Sequence, residues 1–264
     1  MVTSDDAVIE RAMRRVLDST ARLDMAQSPP EMARLIHGII KDETGMDDPY
    51  AAVKRESTAT ALGLIDDVRR RIDAAADPFD AAVRFAIAGN VMDFAIPALK
   101  DMNNVKAHLD KALSQRLVGS GTGKLKAALL NAETVLFLGD NAGETVFDRL
   151  LIERISVKTI RYVVKASPII NDSTVFDAEA SGISEVAEIM DNGSDAPGTV
   201  LRICSDSFRE RFRDADVVIA KGQANYETLS GVDREVFFLT QVKCPVIACD
   251  VGRDVGDWLV TSLS

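Results

Sequence analysis

The sequence is poor in the residues that mark several protein classes. It has three cysteines, Cys204, Cys244 and Cys249. Their number is odd and they show no Cys-x-x-Cys spacing, which argues against a disulfide framework and for reduced, buried thiols. It has two histidines, His37 and His108, both in stretches of helical periodicity, so no His/Cys zinc cluster is in sight. No apolar run approaches the ~20 residues of a membrane span. Met1 to Met25 carries Asp5, Asp6, Glu10, Arg11, Arg14 and Arg15 where a secretory signal would be apolar. Positive charge is in deficit: 31 Lys and Arg against 41 Asp and Glu, a net charge of −10. Such a balance suits a phosphodiester backbone badly. The expectation is a cytoplasmic protein with no nucleic-acid partner and no membrane partner. Oligomeric state leaves no readable trace.

What is present is enough for a real core. Of the 264 residues, 47% are hydrophobic, sufficient for one large or two modest domains. From the start to about Ala132 the apolar spacing is helical. Ser28-Pro29-Pro30-Glu31 reads as a capping box with proline in the first turn. Leu35, Ile36, Ile39 and Ile40 then form one stripe, and Gly45 ends the helix. Asp48-Pro49 opens a long segment through Arg71, and Asp77-Pro78 opens another with Ala82, Phe85, Ala86 and Val91. Pro97 ends that helix, and Asp101 to Leu117 reads as a further one. This half contains no convincing strand. Gly119-Ser120-Gly121-Thr122-Gly123 breaks the pattern. Lys124 follows it, but Val118 and Leu125 stand where a P-loop needs Gly and Ser or Thr. The segment reads as a flexible connector.

The period then changes. Short apolar runs appear at Thr134 to Leu138, Ile160 to Val164, Val186 to Met190, Val217 to Ala220, Val236 to Leu239 and Val246 to Ala248. Helical stretches alternate with several of them. Runs without alternation suggest strands buried on both faces, and strand–helix repetition suggests a doubly wound, Rossmann-like sheet. The expected fold is α/β: a helical domain over residues 1–130 and an α/β/α sandwich over 131–264, with five or six mainly parallel strands.

Ligands of such sheets bind beyond the carboxyl ends of the strands. Three polar loops fall there: Gly139-Asp140-Asn141-Ala142-Gly143-Glu144, Ser167-Pro168-Ile169-Ile170-Asn171-Asp172, and Lys221-Gly222-Gln223-Ala224-Asn225-Tyr226-Glu227. Asp140, Asn141 and Asp172 offer hard oxygen donors that suit a divalent metal ion. Gly143 permits close backbone approach at a helix start, and Lys221 would bring positive charge to phosphate oxygens. Each feature alone also reads as a turn, a cap or a surface lysine; what points to a site is their coincidence at successive strand ends. No Gly-x-Ser-x-Gly elbow, dinucleotide glycine pattern or Asp-x-Asp nucleophile pair is present.

These three loops, taken in order, resemble the damage-control phosphatase family in its standalone archaeal and bacterial branch. Asp48-Pro49-Tyr50 with Lys54, Ala88-Gly89-Asn90-Val91-Met92-Asp93-Phe94 and Lys243-Cys244-Pro245-Val246-Ile247-Ala248 resemble further segments of it, so the likeness spans nearly the whole chain. It implies a helical domain packed on an α/β/α sandwich. It also implies a metal (Mg²⁺, Mn²⁺, Co²⁺ or Ni²⁺) at Asp140, Asn141 and Asp172, and hydrolysis of small phosphorylated metabolites such as sugar phosphates or damaged cofactor intermediates. Lys221 and Asn225 would contact phosphate, with Asn90 and Asp93 facing the cleft. Asp172, Lys221 and Glu144 are the catalytic candidates. The Cys-x-x-Cys segment that often opens this branch is replaced here by Glu10-Arg11-Ala12-Met13-Arg14. Two other readings compete: a non-catalytic module for a metal or sugar phosphate, and an S-adenosylmethionine-dependent carboxyl methyltransferase. The methyltransferase would want a glycine-rich first loop, where Asp140-Asn141 stands.

Overall fold

The computed structural model describes residues 3–91 and 109–263. Asp93, Pro97 and most of the helix expected from Asp101 lie outside them. Five helices lying wholly within the described residues come first: α1 (Asp6–Thr20), α2 (Pro29–Thr44), α3 (Ala51–Leu62), α4 (Ile65–Asp73) and α5 (Pro78–Val91). The expected caps form. The Ser28 N–H donates to Glu31 Oε2 at 2.8 Å, and Gly45 closes α2 in the left-handed conformation. Asp77 Oδ1 accepts from the N–H groups of Phe79 and Asp80. The segment expected to run unbroken to Arg71 instead breaks between α3 and α4, at Gly63-Leu64.

The sheet has seven strands, β1 (Leu117–Gly119), β2 (Thr134–Leu138), β3 (Thr159–Val164), β4 (Glu188–Asp191), β5 (Val217–Lys221), β6 (Val236–Gln241) and β7 (Trp258–Leu263). Their order is β1-β7-β6-β5-β2-β3-β4. Every neighbouring pair is parallel except β6 with β7. Six helices accompany them: α6 (Gly121–Leu130), α7 (Thr145–Ile152), α8 (Val175–Ala180), α9 (Asp206–Asp214), α10 (Gly222–Leu229) and α11 (Pro245–Val251).

Three local expectations are corrected. The glycine-rich stretch is no loose connector: Gly119 ends β1 at φ 100° against the Val260 carbonyl, and Gly121 opens α6. The apolar run Val246 to Ala248 is helix, led by Pro245 in the first turn. The first strand comes from the helical half of the chain.

Side chains alternate along the central strands and bury both faces of the sheet. Val135, Phe137, Ile219, Phe237 and Leu239 join one core with α4, α5, α6 and α7. Leu136, Leu138, Val218, Ala220 and Phe238 join the other with α9, α10 and α11. The N-terminal helices α4 and α5 thus form one outer layer of the sandwich. The α2 helix is tied to the loops beyond β3 and β4 by Lys41 Nζ donating to the Pro168 carbonyl and by the pairs Arg34–Asp195 and Arg202–Glu31. Among the described residues, no helix is long and apolar enough to cross a membrane.

Candidate active site

The loops after β2 and β3 continue the sheet past its formal ends. The Gly139 N–H donates to the Val163 carbonyl at 2.9 Å, Ser173 N–H to Asp140 O at 2.8 Å, Ala142 N–H to Asn171 O at 2.9 Å and Lys165 N–H to Ser173 O at 2.9 Å. An isolated antiparallel bridge joins Asn141 to Asp172. Backbone pairing alone therefore brings Asp140, Asn141 and Asp172 together. Ile170 holds φ 46°, an unfavourable region for a β-branched residue, in the turn that delivers Asp172.

Asp140, Glu144 and Asp172 are buried. Asn90, from α5, spans two of them: its Nδ2 donates to Asp140 Oδ2 at 2.7 Å and to Glu144 Oε1 at 2.8 Å. Asn141 Nδ2 donates to the same Glu144 oxygen at 2.7 Å. Glu144 Oε2 accepts from Lys221 Nζ at 3.1 Å. Strand alternation turns Lys221 toward the α7 face, where its ammonium also reaches Asp148 Oδ1 at 2.7 Å, and Tyr162 OH donates to Asp148 Oδ2 at 2.8 Å. Lys221 is thus fully buried between two carboxylates.

Burial dominates the titration of this cluster. Asp140 is pushed well above the usual carboxyl range by desolvation, then by the charges of Glu144 and Asp172. Desolvation pushes Asp148 up to about 6, against the opposing pull of Lys221. Asp172 also rises to about 6 through desolvation, moderated by Lys165. Lys221 titrates higher than an ordinary lysine because Asp148 and Glu144 outweigh its desolvation.

Within this cluster two buried oxygens, Asn90 Oδ1 and Asp172 Oδ2, make no hydrogen bond, the latter lying 3.4 Å from Lys165 Nζ. Lone acceptors beside a desolvated Asp140 suit a hard cation. Among the described residues no three His, Cys, Asp or Glu side chains gather at metal-ligating geometry. The donor set is instead two carboxylates with amide oxygens, which fits Asp140, Asn141 and Asp172.

The other expected residues fall as follows. Gly143 is buried in the Ala142–Glu144 turn. Asn225 commits both ends of its amide to protein: Nδ2 to the carbonyls of Lys221 at 2.8 Å and Gly139 at 3.3 Å, Oδ1 to the Thr199 hydroxyl at 2.7 Å. It brackets two loops together. Asp93 lies outside the described residues.

Sequence reasoning missed Asp148, Tyr162, Lys165, Lys243 and Gly222. Asp148 had a signal, an acid one turn after Glu144 amid Val146, Phe147, Leu150 and Leu151. Lys243, whose Nζ donates to the Asn90 carbonyl at 2.9 Å, lay in a segment noted only for its likeness. Gly222 holds φ 80°, and a Cβ there would lie 1.9 Å from Asp140 Oδ2.

Fold and cluster together define a doubly wound α/β protein with its candidate site at the carboxyl edge of the parallel strands, where such sheets bind ligands. Residues 1–259 match the family model described as the damage-control phosphatase ARMT1-like domain, and the chain belongs to that family. A damage-control phosphatase of Pyrococcus horikoshii is 34% identical over 253 residues, covering 94% of this chain and 86% of that one. One of Archaeoglobus fulgidus is 32% identical over 264 residues, covering 97% and 91%. The crystal structure of a DUF89 family protein from P. horikoshii superposes with a TM-score of 0.89 at 32% identity, covering 98% of this chain and 91% of that one. Membership makes the chain a phosphatase, within the hydrolases.

Proposed function

We propose that this phosphatase hydrolyses phosphate monoesters of small metabolites, sugar phosphates or damaged cofactor intermediates, and depends on a divalent metal ion. The pair of orphaned buried oxygens, Asn90 Oδ1 and Asp172 Oδ2, carries the reading. Among the described residues, two side-chain amides, those of Asn90 and Asn141, donate to the neighbouring Asp140 carboxylate. Mg²⁺, Mn²⁺, Co²⁺ and Ni²⁺ all suit such donors.

In the net reaction water adds to phosphorus, the bond from phosphorus to the leaving oxygen breaks, and the alkoxide takes up a proton. A divalent ion held by Asp140, Asn141 and Asp172 would supply Lewis-acid polarisation of a phosphate oxygen and acidify a water. Asp172 is the residue to orient the attacking water, since among the described residues its Oδ2 is engaged by nothing but the long ion pair with Lys165. Glu144 has both oxygens engaged. It holds Asn90, Asn141 and Lys221 in register for the charge that moves in the transition state. Lys221 supplies fixed positive potential from below.

The test is phosphate release from an aryl phosphate and a panel of sugar phosphates. Metal-stripped protein is assayed alone and with each of the four ions, beside Asp140→Ala and Asp172→Asn. Release that requires metal in the wild type and falls at least about 100-fold in both variants is expected. A fully active Asp140→Ala protein overturns the assignment. Metal binding without turnover on any substrate returns the reading to a binding module.

A further inference from the structure

Two lysines flank the acidic cluster from opposite faces of the sheet, and they are in opposite states. Lys221, on the α7 face, donates to two carboxylates. Lys165 follows β3, and strand alternation turns it to the other face, where its charge is felt by Cys204. It is 2% exposed. Its backbone is fixed by the bond to the Ser173 carbonyl and the bridge to Thr174. Its ammonium forms an ion pair with Asp172 Oδ2 at 3.4 Å and pulls that carboxyl down against its desolvation. An ammonium carries three donors, and a single long ion pair uses them incompletely. The partner oxygen makes no hydrogen bond of its own. The Lys165 charge also acts on Asp140. Among the described residues its one ion pair is the long contact with Asp172 Oδ2, so a buried, fixed cation has donors to offer a ligand that brings oxygens of its own.

We propose that Lys165 has two successive partners. In the free protein its charge stands in at Asp172 for the divalent ion. With the ion in place, the ammonium turns its donors to the oxygens of the phosphate group, making Lys165 a catalytic residue. The inference rests on the phosphatase reading above and assigns within it the group that binds phosphate from the β3 side.

The two roles have effects of opposite sign, which a merely structural lysine would not produce. Removing the charge relieves repulsion on an incoming cation, so Lys165→Met should bind Mn²⁺ at least about tenfold more tightly. With Mn²⁺ saturating, the same variant should bind inorganic phosphate at least about tenfold more weakly. Lys165→Arg should keep most of the phosphate affinity. Mn²⁺ binding is read by electron paramagnetic resonance and phosphate binding by calorimetry, with circular dichroism confirming the fold. Lys165→Gln serves as a second neutral variant should the methionine fail to fold. Wild-type protein that binds both probes, with neutral variants unchanged for both or weakened for both, overturns the Lys165 assignment alone. Wild-type protein that binds neither probe overturns the phosphatase reading, and the assignment falls with it.

Discussion

An added methyl group has no room at Gly222. The position needs a left-handed φ of 80°, and its Cβ would lie 1.9 Å from the Asp140 carboxylate. Gly222→Ala should cost about 1–3 kcal/mol of stability. It should also lower phosphate release by at least about 100-fold, because a displacement of order 1 Å at a reacting group costs that much. Urea denaturation and a turnover assay check both; an alanine variant with wild-type turnover would show that Asp140 tolerates displacement. Residues of this kind divide into those visible in sequence and those not. Asp140, Asn141 and Asp172 were visible because each follows an apolar run, where parallel sheets place ligands. Lys165 was not, because its meaning depends on the loop after β3 folding Asp172 back onto it. Lys221 was seen but cast as an open phosphate ligand. Counting alternation from Val217 puts it on the Ile219 face, beneath α7, where Glu144 and Asp148 hold it.

At the scale of elements, the seam between α5 and α7 sets the height of Asn90 above the acids. Gly89 lets the helices close: a Cβ there would meet Phe147 Cδ2 at 2.8 Å. Phe147 is wholly buried, so Phe147→Ala should cost about 3–5 kcal/mol, read from urea midpoints at unchanged slope. A loss below about 1 kcal/mol would mean that the seam collapses to fill the void. Helix boundaries were legible where caps are chemical, at Ser28 with Glu31, Gly45 and Asp77. The two strands at the β1 end of the sheet were not. β1 has three residues, and its neighbour β7 mixes Thr261 and Ser262 into its apolar pattern. The run at Val246 to Ala248 is as short as a strand, and periodicity alone does not separate it from one turn of helix.

For the whole molecule, buried acids tie stability to pH. In the metal-free protein Asp148 titrates at about 6 instead of its usual 3.8, because burial outweighs Lys221. A carboxyl whose folded value is raised contributes stability that is complete below its unfolded value and is lost as pH rises through the folded one. The window runs from about 4 to about 6, and the size is about 3 kcal/mol. Asp148→Asn removes this titration. Its melting temperature should therefore decline less than that of the wild type between pH 4 and pH 7. Parallel profiles for the two proteins would place the titrating group elsewhere.

The placement of β1 bears on how the chain is made. Its registered neighbour in the sheet is β7, and Ser120 just beyond it contacts Val260, 140 residues later in the chain. A ribosome delivers the two segments far apart in time. Throughout that interval the α5 and α6 apolar faces can collapse on each other and on the first parallel strands, but Leu117 to Gly119 has no edge to join. Docking of β1 is therefore a late event of synthesis. It waits for β7 to fold back against β6, in the one antiparallel pairing of the sheet, which makes closure of that edge a slow, long-range step.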